Sequence, residues 1–145
     1  IGLDLGSKTI GVAISDSLKT VATPLKTIKR TKFSEEVTTL FKLISERDIS
    51  GIILGLPKNM DGSEGPKCQS TRDFAKNFSN IVDLPITFWD ERLTTVAAEK
   101  SLLSADLSRK KRRQVIDSIA AVLILQNLLD RLKNMEQKKP DKLLT

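Results

Sequence analysis

The chain has 145 residues, 39% of them hydrophobic and 29% charged, with a net charge of +6 and a single cysteine, Cys68. A globule of that size buries roughly 68 to 70% of its unfolded surface without cross-links, and one cysteine excludes a disulfide framework or any multi-cysteine zinc or iron–sulfur site. The chain also has no His and no Tyr, which excludes serine–histidine hydrolysis, histidine-ligated zinc and imidazole relays, so any hydrolysis must use carboxylates, Lys or metal-activated water.

The first elements are strands. Residues 1–5 (IGLDL) and a run reaching Asp16 (IGVAISD) are joined by Gly6-Ser7-Lys8-Thr9 and read as a hairpin, and residues 24–28 form a third strand. The period then changes: Phe33, Val37, Leu40, Phe41 and Ile44 fall on one helix face over residues 34–47, with Ser34 as N-cap. Residues 51–56 (GIILGL) make a continuous apolar run, as for a strand buried on both faces. A loop with Pro57, Gly62, Gly65 and Pro66 leads to a helix carrying Phe74, Ala75 and Phe78, and residues 85–90 (PITFWD) form the fifth strand.

Beyond it we expect a helix capped by Thr94 or Thr95 and ending near Leu103, then a polar, basic connection. A long helix from about Gln114 to Leu132 follows, and a Lys-rich end frays from Lys133. Strands alternating with helices predict an α/β fold, a mixed sheet with a parallel portion and helices on both faces. One domain is expected over residues 1–145, with a flexible basic tail from about residue 134.

Three acids stand out. Asp4 shares a strand face with Gly2 and Gly6, and aspartate is depleted in strands, although a strand-end aspartate satisfying the following turn is an equal alternative. Asp90 and Glu91 end the fifth strand, where functional groups of sheets with parallel strands gather; Glu91 is preferred and Asp90 held in reserve, against a surface ion pair of Glu91 with Arg92. Asp117 opens D-S-I-A-A, sharing a helix face with Ala120 and Ala121, whose small size would let that helix approach the sheet; an acid favoured by the helix dipole is its alternative.

The stretches IGLDLGSKTIGVAISD, GIILGLPKNMDGSEGP, WDERLTT and VIDSIAAVLILQ resemble, in order and spacing, the motifs of the YqgF family, also called RuvX, over residues 1 to about 132. The resemblance implies a ribonuclease H-like fold with five strands. It implies that Asp4, Glu91 and Asp117 are catalytic acids. It also implies a role in maturing the 5′ end of the precursor of small-subunit (16S) ribosomal RNA, with resolution of branched DNA as the older alternative. Thr9 departs from the pattern, since a basic residue commonly follows the lysine there. Three converging carboxylates repel one another unless cations lie between them, and hard oxygen ligands select Mg²⁺ or Mn²⁺, here expected as two ions.

The expected substrate contacts are Lys8, Lys58, Asn59, Arg92 and the run Arg109, Lys110, Lys111, Arg112 and Arg113, close before Asp117. Trp89 is expected in the core. With a pI near 9.6, the expected partner is nucleic acid, RNA in preference to DNA, within a pre-ribosomal particle. A monomer or a homodimer would serve, with no membrane association and a cytoplasmic location. Ile1 lies inside a strand rather than following a start methionine, so a few residues are expected to precede it, and organellar targeting stays open. An actin-like ATPase starts similarly but needs two such domains. A non-catalytic RNA- or ribosome-binding module is the remaining alternative, and it predicts salt-sensitive binding without cleavage.

Overall fold

The computed structural model describes residues 1–93 and 109–137, with side chains from residue 119 onward in the second stretch. Five strands form one sheet in the order β3-β2-β1-β4-β5: β1 (Gly2–Leu5), β2 (Thr9–Ser15), β3 (Ala22–Lys29), β4 (Ile52–Leu56) and β5 (Ile86–Asp90). The hairpin partners β1–β2 and β2–β3 are antiparallel, whereas β4 runs parallel to β1 and β5 parallel to β4. With helices on both faces, this is the ribonuclease H-like α/β arrangement expected.

β3 is longer than its apolar run, because Pro24 is accommodated at an edge. Val12 pairs with Lys26 and Ala13 with Pro24, so Leu25 is the extra residue of a bulge. Helices α1 (Phe33–Ser45) and α2 (Pro66–Ser79) cover one face. Between them and the sheet lie Leu3, Ile10, Val12, Leu40, Leu54 and Phe78, and Phe74 meets Phe33 edge-on at 5.4 Å. Ser34 does not cap α1 as expected: the N-cap is Lys32, with no side-chain bond, and Glu36 Oε2 instead accepts the Thr31 N–H at 3.0 Å. α2 starts with Pro66 in its first turn, where the missing N–H costs nothing.

The other face is covered by α3 (Arg109–Gln137). It begins earlier than expected, so the basic run 109–113 occupies its first turns rather than a loop, and it continues beyond Lys133. Lys, Arg, Gln and Glu are good helix formers, and no Gly or Pro falls within residues 109–137 to stop it. Small residues let it lie close: a β-carbon on Gly2 would stand 2.9 Å from Leu125 Cβ and 3.1 Å from the Ala121 carbonyl oxygen. Ala13, Ile53, Ala120 and Ile124 complete that layer, and Gln126 ties the helix to the hairpin, accepting the Ala22 N–H at 2.8 Å and donating to Thr20 O at 2.9 Å. The helix expected from Thr94 or Thr95 to Leu103 lies outside the described residues. Among the described residues no helix is long and apolar enough to cross a membrane.

Candidate active site

Paired residues in a sheet share a face and successive residues alternate, so Gly2, Asp4, Gly11 and Ile53 all turn towards α3. Asp4 pairs with Gly11, and the β1–β4 register, continued past Leu3 and Leu54, sets Gly55 on its other side. Glycines therefore flank Asp4 both along the strand and across it. The carboxylate is nevertheless inside the protein, at 4% residue exposure.

The space above Gly55 is taken by Glu91. This residue opens a single 3₁₀ turn, Glu91–Leu93, directly after β5, and its Oε1 lies 2.6 Å from where a β-carbon on Gly55 would stand. Gly55 stands across from Asp4 in the sheet, so the Glu91 carboxylate and Asp4 lie over neighbouring strands on the same face. Two carboxylates on one face over neighbouring strands would favour a cation between them.

Asp90 goes elsewhere. It pairs with Leu56 across the sheet, so it alternates away from the Gly55 face. Its carboxylate accepts from Arg92: Nη2 to Oδ2 at 2.7 Å, Nε to both oxygens at 3.1 Å, and the backbone N–H at 3.0 Å. Those bonds, the guanidinium's first, hold its pKa below the usual carboxylate range. Arg92 also donates from Nη1 to Met60 O at 3.4 Å and lies over Gly62, whose φ of +88° suits a residue without a side chain. The end of β5 is thereby tied to the loop after β4.

A family model described as RuvX, Holliday junction resolvase, matches residues 1–131. The chain belongs to the RuvX family. A relative from Ruegeria pomeroyi, named "Putative pre-16S rRNA nuclease", is 62% identical over 134 residues, which is 92% of this chain and 87% of its own. Relatives of the same name from Rhodobacter capsulatus and Paracoccus denitrificans are each 61% identical. The first covers 92% of this chain and 84% of its own length, the second 91% and 84%.

In this RuvX chain, α3 carries position 117 to the same end of the sheet. Leu128, Leu129 and Leu132 lie beside Ile1 and Gly51, where β1 and β4 begin, so the helix runs back towards their carboxyl ends. Position 117 precedes Ala121 by one turn, about 6 Å along the axis. The side chains of Asp117 and of Arg109, Lys110, Lys111, Arg112 and Arg113 lie outside the described residues. Among the described side chains there is no group of three His, Cys, Asp or Glu suited to a metal; Asp4 and Glu91 are two of the three expected acids.

The remaining expected contacts divide. Lys8 is exposed in the turn after Asp4, on the same edge of the sheet. Lys58 lies 4.0 Å from Glu64, and Asn59 builds its own turn, donating from Nδ2 to Ser63 Oγ at 3.0 Å and from its N–H to Ser63 O at 2.9 Å. Arg92 is committed to Asp90. Trp89, expected in the core, is half-buried and packs against the α3 layer from its edge. Sequence reasoning missed Gly55 as part of the site, although a glycine inside an apolar strand is a signal of close approach.

Proposed function

We propose that this chain is a divalent-metal-dependent nuclease that hydrolyses phosphodiester bonds in structured nucleic acid, and that its substrate is the precursor of small-subunit ribosomal RNA at its 5′ end. The observation that carries this reading is the Glu91 carboxylate folded over Gly55, beside Asp4. The names of the relatives support the RNA substrate.

The donors suit Mg²⁺ or Mn²⁺. They are carboxylate oxygens with neither sulfur nor imidazole, and a glycine lies where a β-carbon would fill the space. Asp4, Glu91 and, from α3, Asp117 would hold the ions. Divalent ions bound there supply Lewis acidity and a water of lowered pKa. Asp4 acts from a rigid strand and Glu91 from a turn braced by the Asp90–Arg92 pair. Lys8, exposed beside Asp4, meets the phosphate backbone and offsets part of the repulsion between a polyanion and the acids.

Incubating the purified protein with structured RNA and with branched DNA, in Mg²⁺, Mn²⁺ or EDTA and beside Asp4→Asn, tests the reading. Cutting of RNA that needs metal and falls at least 100-fold in the variant is expected. Equal cutting in EDTA, or by the variant, counts against it. The family description favours a second reading, resolution of branched DNA, which metal-dependent cutting of the junction alone would select. Salt-sensitive RNA binding with no cutting of either substrate would leave only a binding module.

A further inference from the structure

A cleft of about 390 Å³ lies at the same edge of the sheet, between the β1–β2 turn, the end of β3 and the first turns of α2. Its lining includes Gly6, Ser7, Arg30, Lys67 and Ser70, and among the described residues no carboxylate. Leu5, which alternates away from the Asp4 face, lies at its base, so the cleft opens on the α1–α2 side while Asp4 and Glu91 lie on the α3 side. The exposed turn Ser7–Lys8 is the ridge between them.

Arg30 is what makes this cleft more than a gap. Its Nε donates to Glu36 Oε2 at 2.7 Å and its Nη1 to Gly6 O at 3.0 Å. Glu36 is 2% exposed and accepts the Thr31 N–H as well, whereas the Arg30 side chain keeps 32% exposure. Among the described residues, two of the five guanidinium N–H groups are used in this way. A guanidinium clamped from behind by a buried carboxylate cannot swing away, so its remaining donors are oriented before any ligand arrives. Across the cleft stand the Lys67 ammonium, the exposed Ser70 hydroxyl and the positive end of α2, which has 14 residues and no side-chain cap.

We propose that this cleft binds a backbone phosphate of the same nucleic-acid strand whose scissile phosphate lies at Asp4 and Glu91, the strand crossing the ridge at Ser7–Lys8. The chemistry is that of a phosphate with several oxygens to share, since Arg30, Lys67 and Ser70 approach from opposite walls. The strand assignment rests on the nuclease reading; the phosphate site itself does not.

The test uses the full chain in an Asp4→Asn background with EDTA, so binding is read without cleavage. Lys67→Gln removes one cation, and Ser70→Asp sets a negative charge facing Arg30; both positions are exposed and leave the Arg30–Glu36 clamp intact. Affinity for a short single-stranded RNA is measured by anisotropy over a salt series, and the amide shifts of Gly6, Ser7 and Thr31 are followed with RNA and with inorganic phosphate. Lys67→Gln should weaken RNA binding about 3- to 10-fold and reduce the slope of log affinity against log salt by about 0.7. Ser70→Asp should weaken it at least 10-fold, and both ligands should move the three amides.

Unchanged affinity and slope in both variants overturn the proposal. Shifts with inorganic phosphate but none with RNA overturn the strand assignment and make the ligand a free phosphate. A protein that cuts nothing yet loses affinity on these substitutions refutes the nuclease reading and supports the phosphate site. Normal cutting with unaltered affinity does the reverse.

Discussion

Glu91 occupies the place that a side chain on Gly55 would need: a β-carbon there would stand 2.6 Å from Glu91 Oε1 and collide with Ile124 Cδ1. Both obstructing atoms are ends of side chains, but Ile124 is fully buried and Glu91 is not. The carboxylate therefore gives way first. Gly55→Ala should cost about 1–2 kcal/mol, as for a modest overpacking, and lower cleavage at least 10-fold. Gly2→Ala meets Leu125 Cβ and the Ala121 carbonyl, which move only if the helix moves, so its loss should be larger in thermal stability. If Gly55→Ala melts lower but cuts as fast as the parent, the position of Glu91 does not matter.

Arg92 should act on the site through Glu91. Its pair with Asp90 is partly exposed, at 33% and 15% for the two side chains, so breaking it should cost less than about 1 kcal/mol of stability. Arg92→Ala releases the 3₁₀ turn that carries Glu91 from the loop at Met60, and we expect about 10-fold slower cleavage and a higher Mg²⁺ requirement. Arg92→Lys should recover little, because an ammonium cannot reproduce the fork held on both Asp90 oxygens. A double-mutant cycle with Glu91→Gln decides the matter: additive effects would mean that Arg92 acts independently of Glu91.

The parts of this molecule that repeat along the chain were legible in its sequence. Alternation in IGLDL and the unbroken apolar run at 51–56 gave the strands and put Asp4 on the glycine face. The spacing of Ala120 and Ala121 correctly anticipated a helix lying close to the sheet. What was hidden depends on single pairings between segments. Nothing local says that Arg92 chooses Asp90 over its neighbour Glu91, because that follows from the alternation of faces along β5 and the 3₁₀ turn that follows it. The Arg30–Glu36 clamp joins residues six apart with no period, and its value lies in Gly6, which it also holds. The start of α3 was misread because a basic run resembles a solvated loop, whereas Lys and Arg continue a helix readily.

The hairpin between β2 and β3 should weaken in acid through Asp16. Its Oδ1 accepts the N–H groups of Thr20 at 2.7 Å and Val21 at 3.0 Å, and Oδ2 accepts the Thr20 hydroxyl at 2.7 Å. These bonds, that from Val21 first, hold the Asp16 pKa below its ordinary 3.8. A carboxyl whose folded pKa is lowered contributes stability in full above the unfolded value and loses it as pH falls through the folded one. Denaturant unfolding at pH 7, 4 and 3 should show a smaller loss below pH 4 for Asp16→Asn than for the parent. Equal losses would mean that other carboxylates govern acid unfolding.

Glu36 supports both the fold and the cleft, and two substitutions separate the roles. Glu36→Ala removes an acceptor that serves the Arg30 guanidinium and the Thr31 N–H, leaving partly buried donors without it, and should cost roughly 1–3 kcal/mol. Glu36→Gln keeps an acceptor oxygen of similar reach and should cost less, yet it removes the charge that fixes Arg30. Single-strand RNA affinity should therefore fall in both variants. A core truncation remote from the cleft and matched in melting temperature to Glu36→Ala should leave affinity unchanged. Should Glu36→Gln bind RNA as tightly as the parent, the orientation of Arg30 contributes nothing to binding, and Glu36 is retained for the α1 terminus alone.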